Sequence, residues 1–299
     1  MIKKSTFLHL RIPFSFFLMP VFLFALALSP NPDPTRILIV FLVMHLFLYP
    51  ASNAYNSYFD KDETSIGGIK NPPPVTRQLY WTSLLFDLLA LLLGATINFH
   101  FVVMLLVYGL VSKAYSHPSV RIKKYPFLSW FIAGYFQGSF SFLTAYAGLN
   151  DFHFDNLLST KTIMASLLSS AILWGSYPMT QIYQHEEDAK RGDFTLSRLL
   201  GINGTFVFTG IIFSLATLAF LYYFKVYYTI RFGYDFMLFL MPVIIYFTYW
   251  YARVLVIKTR ADYQHTMWLN TISAVCMNAF FIYFFIKSSG IFSALQEGY

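Results

Sequence analysis

The residues of this chain that could do chemistry lie in a polar stretch, residues 53–63, that ends an apolar run beginning near Ile37. Asn53, Asn56 and Asp60 are spaced i, i+3 and i+7, so a helix would place all three on one face. Amide and carboxylate oxygens on a shared face can bind a hard cation. Such groups are costly at the end of an apolar helix and therefore indicate a functional site.

A second polar stretch, residues 181–196, is also rich in carboxylates. Gln184 and Asp188 are i, i+4 neighbours and share a helical face, as Asn56 and Asp60 do. Oxygen ligands without thiolates or paired histidines favour Mg²⁺ over zinc. Magnesium binds few carboxylates and completes its shell with water and phosphate oxygens, so the expected partner of this metal is a phosphate.

Cationic and hydroxyl groups that could bind this phosphate follow two apolar segments. They are Lys113, Tyr115, Arg121, Lys123, Lys190 and Arg191. Arginine offers a bidentate fork to phosphate oxygens, and lysine offers a point charge. The same cations could instead set the membrane topology or bind anionic lipid head groups.

The elements that must position these groups are membrane helices. The chain is 57% hydrophobic and 12% charged, with a mean hydropathy of +0.55, which indicates a polytopic membrane protein. Apolar runs predict an all-α fold of about nine transmembrane helices, near residues 12–29, 37–59, 79–97, 100–115, 126–148, 161–184, 203–224, 235–257 and 267–287. The first run could be a signal peptide, but the many later spans favour a first helix.

The distribution of basic residues predicts the orientation. With nine spans, 16 of the 21 Lys and Arg residues fall on the inner side, as the positive-inside rule requires. We therefore expect a cytoplasmic N-terminus, both polar clusters on the cytoplasmic face, and a place in the inner membrane of a bacterial cell. Topology also accounts for the net charge of +7, so no nucleic-acid partner is expected.

The spacing of the clusters suggests an internal repeat. The clusters end the second and sixth predicted helices, and the fourth and eighth both end in basic loops. This pattern predicts two four-helix halves plus a ninth helix, with the site between the halves. No soluble segment is left over, so residues 1–299 are predicted to form a single membrane domain.

The apolar bundle suggests what the phosphate carries. A diphosphate at the membrane boundary with an isoprenoid tail in the bundle fits this geometry. Ionising an allylic diphosphate requires charge neutralisation on the leaving group, which metals and cations supply. The carbocation requires a dry site with aromatic faces, and the chain has 34 Phe and 22 Tyr.

Three motifs then resemble a known family, the UbiA superfamily of intramembrane prenyltransferases. Residues 53–60 (N-x-x-N-S-Y-x-D) are similar to its first acidic motif, and residues 184–196 (Q-x-E-x-D-x-x-x-G-x-x-T-L) are similar to its second. Residues 115–123 (Y-S-x-P-x-x-R-x-K) resemble its connecting loop. The resemblance implies a UbiA-like fold and Mg²⁺-dependent prenyl transfer from an isoprenoid diphosphate to a hydrophobic or aromatic acceptor among the membrane lipids.

The resemblance also implies roles for individual residues. Asn56, Asp60 and Asp188 match metal–diphosphate positions, Gln184 joins them as a catalytic residue, and Arg11 is similar to an arginine directed at the diphosphate. Further expected residues are Glu63 and Glu187 as metal ligands and Asn53 at the diphosphate. The chain departs from the family at Ser57 and Gln184, where Asp is usual, and at Thr64, where Asp often occurs.

Other functions fit parts of this pattern. The phosphate site could take a different donor, such as a phosphoribosyl diphosphate transferred to a lipid. The polar groups could line an ion path in a transporter, although transporter sites usually lie near the membrane midplane. The departures at the acidic motifs could also mark a protein that binds isoprenoid lipids without catalysis.

Overall fold

In the described part of the chain, all regular secondary structure is helical, apart from one isolated antiparallel β-bridge between Ile66 and Ile69. The computed structural model describes residues 3–30, 33–151 and 154–289. Its helices are α1 (Lys4–Leu28), α2 (Pro34–Asp60), α3 (Arg77–Gly94), α4 (Phe99–Ser116), α5 (126–149), α6 (Thr160–Gln181), α7 (His185–Arg191), α8 (Leu196–Tyr227), α9 (Ile230–Val256) and α10 (Tyr263–Ser288). A helix occupies each apolar run from which one was predicted.

Six of these helices, counted over the described ranges, are long and apolar enough to cross a membrane. They are α1, α2, α4, α8, α9 and α10. A span needs about 20 mainly apolar residues, and the shortest of the six, α4, has 18. The chain is therefore a multi-pass membrane protein, as its composition predicts.

The connection after α6 differs from the predicted loop at 185–202. It contains α7, which is capped by Gly192 (φ 73), and the start of α8, which is kinked at Gly201 (φ 66). Both glycines adopt the left-handed region that side chains disfavour. The apolar pattern missed α7 because a two-turn helix of charged residues has no long apolar stripe.

Two of the helices contain a π-helical turn, Val43–Leu48 in α2 and Phe136–Phe140 in α5. Such turns insert one extra residue and are frequent at functional sites. The turn in α5 packs against α6, where Ser139 N donates to Ser170 Oγ at 2.8 Å and Ser170 Oγ donates to Gly134 O at 3.0 Å. These bonds satisfy backbone groups that the irregular turn leaves free.

The bundle core is aromatic at the end far from Asp60. Phe24 of α1 stacks on Phe281 of α10 with ring centroids 4.6 Å apart, and Phe220 of α8 packs on Phe236 of α9 at 4.4 Å. All four side chains are at most 2% exposed. Ring pairs at these distances add to the burial of apolar area, so α1, α8, α9 and α10 close this end of the bundle tightly.

Gly138 supports a stability prediction because α5 and α6 touch at this residue. A Cβ at position 138 would lie 2.4 Å from Ser170 Cα and 2.6 Å from Ser170 N. We expect Gly138→Ala to destabilise the protein by about 1–3 kcal/mol, the usual cost of overpacking. Thermal unfolding in detergent measures this. Gly109→Ala is the control, since its Cβ would meet Asp87 Oδ1 at an ordinary 3.7 Å; an equal loss in both variants would contradict the explanation.

Candidate active site

The two polar clusters meet at one end of the bundle in a set of buried ion pairs, here called the ionic network. Five carboxylates and three cations form it: Asp60, Asp62, Glu187, Asp188 and Asp193 with Arg121, Lys123 and Arg191. Asp60 ends α2, Asp188 lies on α7, and the first two cations follow α4. The fold thus brings together residues more than a hundred positions apart in the chain.

One half of the network connects the end of α2 to the segment after α7. Lys123 Nζ pairs with Asp60 and lies 3.8 Å from Asp193 Oδ2. Arg121 donates to both oxygens of Asp193 at 2.9 Å, and its Nη1 lies 3.9 Å from Asp60. The bidentate pair between Arg121 and Asp193 has the geometry of a strong charge-assisted interaction.

The other half is centred on Arg191. Its guanidinium pairs with Asp62, donates to Asp188 Oδ1 at 2.9 Å and lies 3.5 Å from Asp193 Oδ2. Its Nη1 also lies 4.0 Å from Glu187 Oε1. The Arg191 side chain is 16% exposed, and those of its four partners are 2–11% exposed. One buried cation therefore compensates four carboxylates from both polar clusters.

The environment of Asp188 perturbs its ionisation. Burial raises the pKa of Asp188 to about 6, although the adjacent Arg191 works in the opposite direction. The carboxyl also accepts from Thr195 Oγ1 at 3.4 Å. A raised pKa in a buried cluster is typical of functional carboxylates.

Three non-glycine residues among those described adopt a positive φ, and all three are cations at this end of the bundle. They are Arg11 (φ 48), Lys61 (φ 50) and Arg121 (φ 45). Lys61 follows Asp60 directly and caps the C-terminus of α2. Such conformations cost about 1–3 kcal/mol each and persist where surrounding contacts hold them.

Among the described residues, two neighbouring cavities in the bundle reach the polar face of α2. The larger has a volume of about 430 Å³ and is lined mainly by apolar side chains of α1, α2, α6, α8, α9 and α10. The smaller has a volume of about 120 Å³ and is lined by Asn56, Tyr115 and Tyr177 among others. Asn53 and Gln137 line both, so the two cavities adjoin at the polar face of α2.

This arrangement has a counterpart in known proteins. The model of the UbiA prenyltransferase family matches residues 17–284. The chain belongs to this family. A comparison with curated protein sequences found no significant match.

Solved structures confirm that this UbiA family member has the family fold. A UbiA homologue from Aeropyrum pernix K1 superposes with a TM-score of 0.70 at 16% identity, covering 91% of this chain and 98% of that one. A UbiA homologue from Archaeoglobus fulgidus bound to GPP and Mg²⁺ gives 0.63 at 18% identity over 94% and 99%. A digeranylgeranylglyceryl phosphate synthase gives 0.60 at 19% identity over 96% and 98%.

Several residues predicted for the site of this UbiA family member do lie together. Asp60, Asp188, Glu187, Arg121, Lys123 and Arg191 are all in the ionic network. Asn53, Asn56 and Tyr115 line the smaller cavity. Gln184 lies at the start of α7, where its Nε2 donates to Ser65 O at 3.2 Å.

Arg11 lies beside the network but contacts backbone. It donates to Gly67 O at 3.2 Å and to Asn53 O at 3.3 Å, and its Nε is buried without a hydrogen-bond partner. The guanidinium also lies 5.4 Å from the ring centroid of Phe14. Arg11 thus connects α1 to the loop after α2 and leaves one buried donor free for a ligand.

Three predicted residues lie elsewhere. Glu63 is exposed, because α2 ends at Asp60 and the chain leaves the helical face at Lys61. Lys190 is exposed because it lies on the opposite side of α7 from Asp188. Lys113 pairs with Asp87 of α3 and does not contact the network.

Four residues of the site were not among the predicted site residues: Asp62, Gln137, Tyr177 and Asp193. Asp193 is 1% exposed and contacts all three cations of the network. A signal for it exists in the sequence: Gly192 after a charged helix predicts a turn. That turn brings Asp193 back onto Asp188, where Asp193 N donates to Asp188 O at 2.9 Å.

The donor set fits a metal that binds together with a diphosphate. Over the described residues, no three His, Cys, Asp or Glu side chains form a ready-made metal cluster. The carboxylates of the network instead face the cations of the chain. Magnesium is commonly held by one or two carboxylates plus substrate phosphates, and Asp60 and Asp188 supply that number from opposite sides of the network.

Proposed function

We propose that this protein is a Mg²⁺-dependent prenyltransferase that transfers a prenyl group from an isoprenoid diphosphate to a hydrophobic or aromatic acceptor within the membrane. Family membership supports prenyl transfer in general.

The observation that carries the proposal is the course of the polar face of α2. Asn53 lines the large apolar cavity, Asn56 lines the smaller cavity, and Asp60 lies in the ionic network. One helical face therefore runs from an apolar chamber to a charged cluster. An isoprenoid diphosphate has the same polarity along its length, with an apolar tail and a charged head.

The residues divide into metal ligands and phosphate ligands. We assign Asp60, Asp188 and Asn56 to Mg²⁺, with Glu187 beside them. Arg121, Lys123 and Arg191 then exchange their carboxylate partners for phosphate oxygens, and Arg11 adds its free Nε–H. Bound Mg²⁺ supplies charge neutralisation on the departing diphosphate.

The larger, apolar cavity supplies the second requirement of prenyl transfer, a dry site for the carbocation. Phe14, Phe17 and Tyr49 line it near the polar face of α2, and Phe220, Phe236 and Phe281 line its far part. Aromatic faces stabilise cationic carbon, and an apolar wall excludes water that would capture it. The prenyl tail is proposed to lie here.

The orientation follows from the charge distribution. We propose nine spans, two four-helix halves and a ninth helix, in one domain over residues 1–299. The ionic network and the N-terminus face the cytoplasm of a bacterial cell, since most Lys and Arg residues are then inside.

The experiment that tests the function uses the full chain in lipid nanodiscs. We expect release of labelled pyrophosphate from an allylic diphosphate when a membrane lipid extract supplies the acceptor, and we expect this release to require Mg²⁺. Phosphoribosyl diphosphate is the alternative donor in the same assay. Release from phosphoribosyl diphosphate alone, or counterflow of an ion in proteoliposomes without any chemical product, would overturn the assignment.

The ionisation of Asp188 predicts a pH dependence of metal binding. Because its folded pKa is raised above the usual value, the folded protein without metal favours the protonated carboxyl. That contribution to stability is present at low pH and is lost as pH rises through about 6. Mg²⁺ requires the ionised form, so we expect Mg²⁺ with pyrophosphate to raise the unfolding temperature more at pH 7.5 than at pH 5. Equal shifts at both values would contradict this role for Asp188.

A further inference from the structure

The smaller cavity has a polar lining without charge. Its polar side chains are Ser52, Asn53, Asn56, Tyr108, Ser112, Tyr115, Ser116, Gln137 and Tyr177. Among the described residues that line it, none is Asp, Glu, Lys, Arg or His. This neutral lining contrasts with the ionic network, which lies next to it along α2.

Gln137 occupies a special position in this cavity. It lies in the π-helical turn Phe136–Phe140 and lines both cavities. The turn is fixed by close contact of Gly138 with Ser170 and by a hydrogen bond of 2.9 Å between the hydroxyls of Ser139 and Ser166. A rigid irregular turn thus presents a primary amide, with two donor hydrogens and one acceptor oxygen, at the junction of the cavities.

The smaller cavity lies where a second substrate would have to bind. Asn56, proposed as a metal–diphosphate ligand, lines this cavity and not the larger one. Asn53 and Gln137 are shared with the chamber proposed for the prenyl tail. A molecule in the smaller cavity would therefore lie beside the place where the tail joins the diphosphate.

The charges around the cavity restrict what can bind there. A buried ion requires a partner of opposite charge. Lys113, which follows Ser112 in α4, is paired with Asp87. In the proposed complex the diphosphate compensates both Lys123 and the Mg²⁺ assigned to Asn56. This lining therefore offers no free counter-charge to a carboxylate, a phosphate or an ammonium group. Hydroxyl and carbonyl groups can hydrogen-bond to its polar side chains.

We infer that the smaller cavity binds the polar head of the acceptor, that this head is an uncharged group bearing hydroxyl or carbonyl oxygen, and that Gln137 hydrogen-bonds to it. The inference rests on the proposed prenyl transfer. Gln137 is then a specificity-determining residue for the acceptor and has no part in binding the diphosphate of the donor.

The test compares two probes that differ by one carboxylate, 1-naphthol and 1-hydroxy-2-naphthoate. Binding is measured by calorimetry on the full chain in nanodiscs, with empty nanodiscs as the blank. We expect 1-naphthol to bind more tightly than the carboxylate. We expect Gln137→Leu to weaken 1-naphthol binding about fivefold, as loss of one hydrogen bond does. Gln264→Leu, at an exposed position outside both cavities, should change nothing.

Binding of the donor separates this inference from the proposed function. In the same preparation, Gln137→Leu should leave the affinity for Mg²⁺ with pyrophosphate unchanged, because pyrophosphate has no tail to occupy the larger cavity. If the wild-type protein fails to bind pyrophosphate with Mg²⁺, the proposed function fails. If it binds pyrophosphate but Gln137→Leu weakens this binding, the smaller cavity holds the diphosphate and the inference is overturned. Equal 1-naphthol binding in both variants, no 1-naphthol binding by the wild type, or tighter binding of the carboxylate would also overturn it.

Discussion

Replacing Asp60 or Asp188 with asparagine is expected to lower Mg²⁺-dependent pyrophosphate release by at least about 100-fold, the usual effect of removing a group that stabilises developing charge. Each change removes one negative charge and keeps the size of the side chain. Asparagine is a poor substitute for a carboxylate toward Mg²⁺, and it leaves Lys123 or Arg191 with less compensation. Steady-state release from an allylic diphosphate measures the effect.

The control for these variants is Asp151→Asn. Asp151 is 78% exposed and pairs with Arg36 at 3.3 Å, outside the network. Its variant should retain the wild-type rate. Wild-type release by both Asp60→Asn and Asp188→Asn would remove these residues from the site. An equal loss in all three variants would show a general effect on folding.

Replacing Arg191 with methionine is expected to cost about 3–5 kcal/mol of stability, the range for breaking a buried ion pair by removing one partner. Arg191 contacts four of the five carboxylates of the ionic network, so its loss leaves all five with Arg121 and Lys123 alone. The unfolding temperature in detergent should fall sharply. The fall should be smaller at pH 5, where Asp188 is mostly protonated.

Arg253→Met is the matched control, because Arg253 is exposed at the end of α9. Its unfolding temperature should stay close to that of the wild type. Similar unfolding temperatures for both variants at pH 7.5 would mean that the network does not depend on Arg191. Addition of Mg²⁺ without pyrophosphate should restore part of the lost stability, since the metal supplies positive charge to the carboxylates.

The sequence predicted the helical membrane fold and the meeting of two acidic clusters. Apolar runs and the i, i+3, i+7 spacing in α2 are local patterns, and local patterns determine helices and their faces. Family motifs then placed Asp60, Asp188, Arg121 and Lys123 near one another. Contacts that depend on backbone irregularity were not predicted.

Asp193 and Gln137 show the physical reason why these contacts could not be predicted. Asp193 follows a seven-residue helix whose end depends on the left-handed turn at Gly192, and without that turn it reads as part of a solvated loop. Gln137 faces the cavities from a π-helical turn fixed by contacts with α6. Helical periodicity cannot anticipate an inserted residue, because the insertion rotates every side chain beyond it by about 100°.

The pairing of distant residues in the network has a consequence for how the protein is made. Lys123, the partner of Asp60, is synthesised 63 residues after it, and Arg191, the partner of Asp62, is synthesised 129 residues after it. Because an unpaired buried charge is strongly unfavourable, the end of α2 must stay in water while ribosomal synthesis continues through α7. The site therefore closes late, after most of the helices have left the translocation machinery, and a chain truncated before residue 191 would expose its acidic groups to the quality-control proteases of the cell.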